Sequence, residues 1–554
     1  MMKQLKLHCF VVMFVVTVNL GAQGHNSVPL DHAAYEIIMI GVIRGVISAP
    51  PSAKPWSESL VRGKLWEMIN DSAQVLSPRE VEVVTGVMNS FERKPGLDTE
   101  QARYRSVSND NSFEAGLGWE SSFSVHAGDG SISSINLASV YTSGDFGNTI
   151  SWNITAQGGL LYIERDNLGA AAHFPYSLGR QWDGGVLSFK NPGTYTPWPD
   201  DPSLAYNWTG EVNAVSFDGR MQLRLGRIRR DWGQSGSSLV LNAYGRPFAA
   251  LEGTYSPFSW MNVSVLGGAL EHYRENNESP NAVFTNMLTM AQIEFNPARF
   301  FHFNIGGSAV LFNQVNGALF TSIGLRIPGL LALWGNLFVD SIDSFRDNFF
   351  QNIGNSFAYQ AGIYTAVNWI PLGVFTFSYT RIEPYCYTFP YERAGWGGVP
   401  SSSAFVNSAG ALGSFLPPNS DELLLRLESW LFPSLKAHLQ FQSMRHGADT
   451  GDGKVYGSSL QDKLHSSSPQ ANFFLKDGVY RWDAVIRLGG TFTLRAGAVP
   501  LALFLETGFS STRFTINSAA GTGNEGQTED LENDPHYRSK SGFIFSIGFR
   551  LFSR

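Results

Sequence analysis

From Asp110 to its last residue, this chain repeats one pattern, in which apolar or aromatic side chains alternate with small or polar ones. Between Val374 and Thr380, the rings of Phe375, Phe377 and Tyr379 lie on one face of a strand, because successive side chains point to opposite sides. The same alternation recurs at 423–428, 437–442 and 543–551. A large secreted β-protein is the alternative, but it would bury its rings between sheets. Rings on one face and charge on the other predict an all-β transmembrane barrel with a polar lumen.

The strand segments have the length of tilted membrane strands, about 9–11 residues. We place about sixteen to eighteen antiparallel strands, and favour eighteen, near 112–125, 132–143, 147–163, 209–217, 219–230, 248–257, 259–273, 284–297, 299–313, 319–326, 330–343, 357–370, 373–384, 421–432, 434–445, 480–496, 499–513 and 540–552. Short turns such as 296–298 and 371–373 are predicted to be periplasmic. Long stretches at 164–208, 385–420, 446–479 and 514–539 are predicted extracellular loops or infolded plugs.

The N-terminus has the composition of a secretory signal. Lys3 and Lys6 precede the apolar run Phe10 to Val18, and Ala22-Gln23-Gly24 fits the small-x-small cleavage rule. We therefore expect a signal peptide at 1–24 and a mature chain that begins near His25.

Charge and cysteine content exclude other classes. A net charge of −7 gives no basic surface for nucleic acid. Only Cys386 would remain after cleavage, so no internal disulfide is expected. The most apolar stretch, 327–339, contains Pro328 and Asn336 and is shorter than the ~18–20 residues of a spanning helix.

Residues 25–96 have helical rather than strand periodicity. We expect Asp31 to cap a helix that runs to about Arg44, a second helix to begin at 55–57, and the capping box Ser77 to Glu80 to open a third. This predicts a small periplasmic bundle, which either caps the barrel and assists its assembly or binds periplasmic proteins. A linker at 97–111 then precedes the barrel at 112–554.

One cluster of side chains could bind a ligand: Arg224, Arg227, Arg229, Arg230 and Trp232. Arginine on the lipid face near the membrane midplane costs ~2–4 kcal/mol, so these groups are expected in the lumen or above the lipid. They form either a structural ladder with Glu211, Asp218 and Glu252, which we favour, or a site for an anionic or hydroxyl-rich ligand.

A second cluster is aromatic and lies where a strand leaves the membrane: Tyr385, Tyr387, Tyr391 and Trp396. Such rings either belong to an interfacial girdle or form a platform on which sugar rings stack. Catalytic motifs are lacking, since there is no G-x-S-x-G, no H-E-x-x-H and no Walker loop, and we predict no enzyme, no metal and no cofactor.

In these segments the chain resembles the capsule-assembly Wzi family of outer-membrane β-barrel lectins. The matching stretches are 54–57, 77–80, 226–248, 337–343, 379–387, 411–413, 417–425 and 445–447. The resemblance implies an 18-stranded barrel, a periplasmic helical bundle, and surface binding of a polysaccharide that tethers a capsule. Arg227, Trp232 and Gly233 match the family's signature, whereas Ser553-Arg554 after Phe552 departs from the usual aromatic last residue.

Two functions follow as hypotheses. The first is a non-enzymatic barrel in the bacterial outer membrane, surrounded by its lipid, that binds or anchors surface polysaccharide. The alternative is a porin that passes small solutes through a polar lumen. An outer-membrane enzyme is the least supported, because nothing in the sequence singles out a nucleophile.

Overall fold

The fold is taken from a computed structural model. It describes residues 25–70, 76–91, 96–98, 103–108, 111–126, 131–147, 149–163, 185–188, 202–216, 219–234, 238–272, 284–311, 315–341, 355–388, 404–407, 410–447, 455, 457–460, 474–475, 478–496, 499–517 and 537–551. The predicted signal peptide and much of the predicted long loops lie outside these residues.

Twenty-five strands are numbered along the described residues, and eighteen of them form one closed antiparallel barrel. The wall strands are β4 (Asn111–His126), β5 (Ser131–Phe146), β6 (Ile150–Ile163), β8 (Ser203–Ser216), β9 (Met221–Ile228), β11 (Phe248–Phe258), β12 (Met261–His272), β13 (Phe284–Ala298), β14 (Phe301–Leu311), β15 (Val315–Ile327), β16 (Leu331–Ser341), β17 (Ser356–Val367), β18 (Gly373–Ile382), β21 (Ser420–Phe432), β22 (Leu435–Gly447), β23 (Gly478–Ala496), β24 (Val499–Asn517) and β25 (Lys540–Leu551).

The remaining strands are short: β1 (Ala53–Lys54), β2 (Gly96–Asp98), β3 (Arg103–Ser108), β7 (Gly185–Ser188), β10 (Asp231–Trp232), β19 (Val406–Asn407) and β20 (Gly410–Ala411). The last wall strand closes the barrel on the first, with Leu551 opposite Trp119. Beyond that point β3 continues alongside β4, with Arg103 opposite Gly116. The predicted linker at 97–111 therefore contains two short strands that extend the sheet.

The two faces of the wall have the polarity that the alternation predicts. On β25, Phe543, Phe545 and Ile547 are 68%, 44% and 47% exposed, whereas Ile544 and Ser546 face inward at 4% and 2%. The outer face is thus apolar and the inner face largely polar, which is the arrangement of a membrane-spanning barrel.

Each of the eighteen predicted strand segments coincides with a wall strand. The largest difference is at β8, which begins at Ser203 although we predicted residue 209. The polar and proline-rich stretch before it hid the alternation of buried Ser203, Ala205 and Asn207 with exposed Leu204 and Tyr206.

The two ends of the barrel differ. At one, here the tight-turn end, strands are joined by short turns such as 259–260, 299–300, 328–330 and 433–434. At the other, the long-loop end, the connections include 229–247, 342–355, 383–419 and 448–477.

Three helices pack against the tight-turn end: α1 (Ala34–Ile43), α2 (Glu58–Asn70) and α3 (Pro78–Asn89). Their buried apolar side chains share a core with lumen-facing residues such as Trp334 and Tyr364. Gly329 donates its N–H to the carbonyl of Ile43 at 3.1 Å. None of the helices in the described part of the chain is both long and apolar enough to span a membrane.

The helix starts are partly as predicted. The capping box of α3 is confirmed, because Ser77 and Glu80 exchange both of its hydrogen bonds. The prediction that Asp31 caps α1 was wrong. This helix begins at Ala34, with Ala33 at the N-cap position and no capping side chain, and the N–H of Ala34 donates to Nδ1 of His32 at 3.2 Å.

Candidate functional site

Residues 25–57, here called the lumen segment, enter the lumen from the tight-turn end on both sides of α1. Ser27 donates from its N–H and its hydroxyl to Glu211 of the wall, at 2.7 and 2.6 Å. Ser52 makes the same two bonds with Glu294, at 2.8 and 2.6 Å. These charge-assisted bonds fix the segment to the wall at β8 and at β13, four wall strands further round.

A second segment, residues 229–247 and here called the inner loop, enters from the long-loop end. Its strand β10 pairs with β1 of the lumen segment, with Ala53 opposite Trp232 and Lys54 opposite Asp231. The indole of Trp232 is 1% exposed and belongs to a core shared with Leu239 and Leu241. The lumen segment and the inner loop therefore meet inside the barrel.

Arg224 belongs to the wall but contacts the lumen segment. Its guanidinium lies 3.3 Å from Glu211 and 3.2 Å from Glu252, and it donates to the carbonyl of Pro55 at 3.0 Å. The side chain is 3% exposed. This pairing is the ladder that the sequence suggested with Glu211 and Glu252, while Asp218 lies outside the described residues.

Arg230 lies near the start of the inner loop and holds the loop to the wall. Its guanidinium contacts Glu252 at 3.1 Å and donates to the carbonyls of Ile228, Phe248 and Gly226 at 3.1, 3.0 and 3.1 Å. Its side chain is fully buried. A planar group with several fixed donors suits such a position better than a lysine would.

Arg227 lies on the face of β9 opposite to that of Arg224. Leu225, two residues earlier, is 60% exposed, so this face points away from the lumen. The guanidinium lies 4.9 Å from the ring centroid of Trp208 and 3.6 Å from the carboxylate of Glu271. Arg229 is partly exposed. The arginine cluster is therefore divided between the lumen and the outer rim.

The predicted aromatic cluster is also divided. Tyr385 and Tyr387 have no exposed surface. The hydroxyl of Tyr387 donates to the carbonyl of Leu239 at 2.8 Å and accepts the N–H of Ser414 at 3.3 Å. Burial raises the pKa of Tyr387 well above its ordinary value, so the hydroxyl stays a neutral donor. Here Tyr387 joins the loop after β18 to the inner loop.

Tyr391 and Trp396 lie outside the described residues. Tyr385 and Tyr387 precede them with left-handed backbone, at φ of 61° and 67°. Such values are uncommon for large side chains, and they persist only where the surroundings hold them. The backbone N–H of Tyr385 donates to the carbonyl of Gly457 at 3.1 Å, which joins this loop to the one after β22.

Polar side chains of the wall are buried around much of the lumen. Glu294, Gln360, Gln440 and Arg487 come from four different strands, and none is more than 4% exposed. Sequence reasoning missed the contacts with Lys54, Ser52 and Glu294, because nothing local showed that residues 25–57 enter the barrel. Among the residues that the structure describes, no group of three or more His, Cys, Asp or Glu could hold a metal ion.

These features define the class of fold: a closed 18-stranded barrel of the outer-membrane type, with helices at one end and two segments that meet inside the lumen. No protein-family model matches the chain, and no curated protein matches it.

Among solved structures, the chain is similar to Wzi, described as an outer-membrane protein involved in group 1 capsule assembly in Escherichia coli and a carbohydrate-binding β-barrel. The TM-score is 0.55 at 10% identity, over 96% of this chain and 99% of that one. OprD of Pseudomonas aeruginosa gives a TM-score of 0.40 at 12% identity, over 82% of this chain and 98% of that one. OpdK of the same organism, with vanillate, gives 0.43 at 12%, over 80% and 99%. The likeness to Wzi shows the barrel fold.

Proposed function

We propose that this protein is a non-enzymatic outer-membrane barrel that binds or anchors surface polysaccharide. The observation that carries the proposal is the pairing, inside the lumen, of β1 of the lumen segment with β10 of the inner loop. A barrel with two paired segments inside its lumen is better suited to binding a ligand at its outer surface than to conducting solutes. The motifs that resemble the Wzi family and the likeness to its solved barrel support the same function.

The proposal includes an orientation and an export route. The long-loop end faces outward, and the tight-turn end with its helices faces the periplasm, as short turns do in outer-membrane barrels. Residues 1–24 direct export. The helices also offer a periplasmic partner an exposed face, on which the indole of Trp66 is 60% exposed.

The candidate residues divide into two roles under this proposal. Arg224, Arg230, Trp232, Tyr385 and Tyr387 are buried, and they hold the loops in one shape. A buried framework of this kind preorganises a binding surface, which reduces the entropy lost on binding.

The sugar contacts are assigned to Arg227, Arg229, Tyr391 and Trp396. Guanidinium groups donate paired hydrogen bonds to carboxylates and hydroxyls, and aromatic faces stack on the C–H faces of sugar rings.

The alternative is a porin, and one observation favours it. Gln292 Oε1, Asn304 Oδ1 and Ser308 Oγ are buried without a hydrogen-bond partner among the protein atoms. Buried polar groups of this kind are normally satisfied by water, so the lumen has room for some hydration. Displacement of the lumen segment would then open a polar path.

Two measurements on the purified barrel separate the functions. Polysaccharide released from the surface of the producing cells is tested for binding, and conductance is recorded in a planar lipid bilayer. We expect binding and a silent barrel. A steady open current without binding would establish the porin instead.

Matched variants test the assigned sugar contacts. Trp396→Ala should weaken polysaccharide binding, whereas Trp369→Ala should not, because Trp369 is 81% exposed in a turn at the opposite end. Equal binding by both variants would remove Trp396 from the site.

A further inference from the structure

Six side chains on neighbouring strands form one continuous row around the long-loop end. Each is the direct cross-strand partner of the next in the barrel register. The row consists of Tyr359, Arg381, Asp421, Arg445, Trp482 and Arg513. We call it the rim row. Its members share the parity of the exposed outer residues Phe375, Leu439, Ile486, Leu488 and Phe509, so the row faces away from the lumen.

Rings and guanidinium groups alternate along this row. Arg381 and Arg445 lie over the ring of Phe474, at 4.3 and 5.6 Å from its centroid. Arg445 and Arg513 lie over the ring of Trp482, at 5.0 and 5.2 Å. Phe474 comes from the loop between β22 and β23, so the row is built by the wall and a loop together. Stacking on rings holds the three guanidinium groups in fixed positions.

The charges of the row do not cancel. Asp421 accepts two hydrogen bonds from Arg445, one from Nε at 2.8 Å and one from Nη2. Glu383 forms an ion pair with Arg381 at 2.7 Å. Arg513 is exposed and has no ion pair with any residue that the structure describes. Among the residues that the structure describes, the three guanidinium groups of the row thus meet two carboxylates, Asp421 of the row and Glu383 beside it, and Arg513 next to Trp482 is the one without an ion pair.

The level of the row is set by the rows beneath it. Four residues lower on the same strands, about 13 Å away, lies a continuous apolar row: Ile363, Phe377, Leu425, Phe441, Ile486, Phe509 and Phe543. The row midway between the two is small on β22 to β25, where it consists of Ser443, Ala484, Ser511 and Ser541, whereas Tyr379 on β18 and Leu423 on β21 are large. On β22 to β24 the outer face thus changes from apolar, through small side chains, to the level of the rim row.

We propose that the rim row binds the phosphorylated sugar headgroup of an outer-leaflet glycolipid, with the acyl chains lying on the apolar row. Guanidinium groups bind phosphate through paired, charge-assisted hydrogen bonds. Phe474 is 7% exposed and Trp482 lies against Arg445 and Arg513, so these rings hold the guanidinium groups in place for the phosphate. The small side chains on β22 to β25 leave space below the headgroup. A phosphorylated lipid would contact both the rim row and the apolar row below it. A free anion would contact only the rim row.

The experiment compares two probes on the purified full-length barrel in detergent: lipid A with both phosphates, and lipid A from which both phosphates have been removed. Retention of each is measured by native mass spectrometry. We expect the wild-type protein to bind the phosphorylated lipid about tenfold more tightly, the effect of a hydrogen bond to a charged group.

The variants locate the site. Arg513→Gln should lower the affinity for phosphorylated lipid A about tenfold without breaking an ion pair, and Arg513→Lys should retain part of it. Arg299→Gln is the matched control, because Arg299 is exposed in a turn at the opposite end. Heat-modified gel mobility checks that each barrel is folded.

Either of two results would overturn the proposal: equal retention of the two lipids by the wild-type protein, or equal loss in Arg513→Gln and Arg299→Gln. The first comparison uses only wild-type protein, so it holds even if a variant fails to fold. The placement of the row in the outer leaflet rests on the orientation proposed above, but polysaccharide binding and conductance are not involved, so failure of this test is distinguishable from failure of the proposed function.

Discussion

Lys54 and Asp231 form an ion pair inside the barrel, with 2.8 Å between Nζ and Oδ2. Lys54 comes from the lumen segment and Asp231 from the inner loop, so the pair joins the two segments that enter the barrel from opposite ends. Nζ also donates to the carbonyl of Gly233 at 3.2 Å. Burial raises the pKa of Asp231 above its ordinary value, although the ammonium of Lys54 opposes that shift.

The first prediction concerns this pair. Lys54→Met leaves the Asp231 carboxylate buried and unpaired, which costs about 3–5 kcal/mol. We expect the lumen segment and inner loop to separate part of the time, seen as brief openings in a planar bilayer. Lys64→Met is the control, because Lys64 pairs with Glu67 on α2, away from the lumen. A recording as silent as that of wild type would show that the pair does not hold the lumen closed.

The second prediction concerns Tyr387→Phe. Removing the hydroxyl leaves the carbonyl of Leu239 and the N–H of Ser414 without this partner, at a cost of about 1–3 kcal/mol. The neighbouring Cys386 is fully buried, so local opening is measured as the rate at which a maleimide labels it. We expect roughly tenfold faster labelling. Tyr255→Phe, on the exposed outer face, should label at the wild-type rate.

The third prediction concerns how α3 is held to the barrel. Glu80 accepts bonds from Arg44 at 2.9 Å, from the N–H of Ser77 at 2.8 Å and from the N–H of Leu372 at 2.8 Å. Glu80→Gln removes the charge that strengthens all three, so we expect faster hydrogen exchange in residues 78–89. Glu82→Gln, exposed on the same helix, should exchange as wild type does.

The same carboxylate predicts a pH dependence. Burial alone would raise the pKa of Glu80, but hydrogen bonds from Arg44, Leu372 and Ser77 hold it below its ordinary 4.5. A lowered pKa in the folded state stabilises docking fully above about pH 4.5, and this contribution is lost as the pH falls through the lowered value. The exchange rate of α3 should therefore approach that of Glu80→Gln under acid. A constant difference between the two proteins at all pH values would contradict this.

The fifth prediction concerns a glycine inside α2. A Cβ at Gly63 would meet no atom within 4 Å. Glycine in a helix interior costs about 1 kcal/mol relative to alanine, so Gly63→Ala should slow hydrogen exchange across α2. Gly41→Ala is the contrasting variant, because there a Cβ would meet Ile47 and Met68 at 3.0 Å. If both variants slowed exchange equally, free space would not be the reason.

The wall was predictable from the sequence because it depends on short-range alternation. All eighteen strands were located, and only the start of β8 at Ser203 differed by more than a few residues. The helix stripes and the capping box at Ser77 were local signals of the same kind. The start of α1 was not, because its N-cap residue is Ala33, which supplies no capping side chain.

The contents of the lumen were not predictable in the same way. The sequence showed that Arg224 needs carboxylates and offered Glu211 and Glu252, but it did not show that the carbonyl of Pro55 completes the set. That contact depends on the path of residues 25–57 through the barrel. The rim row depends likewise on the register of six strands, and the positions from Tyr359 to Arg513 give no periodic signal of it.

The pairing of β25 with β4 bears on how the molecule is assembled. Residues 25–57 precede every strand of the wall, whereas the seam at Leu551 and Trp119 is made by the final strand. In a chain exported amino end first, the lumen segment therefore emerges before the wall strands. The pairing of β25 with β4 then closes the barrel around it. Loss of β25 would leave an open sheet around its contents, and loss of residues 25–57 would leave a closed barrel whose inner loop has lost its partner strand β1.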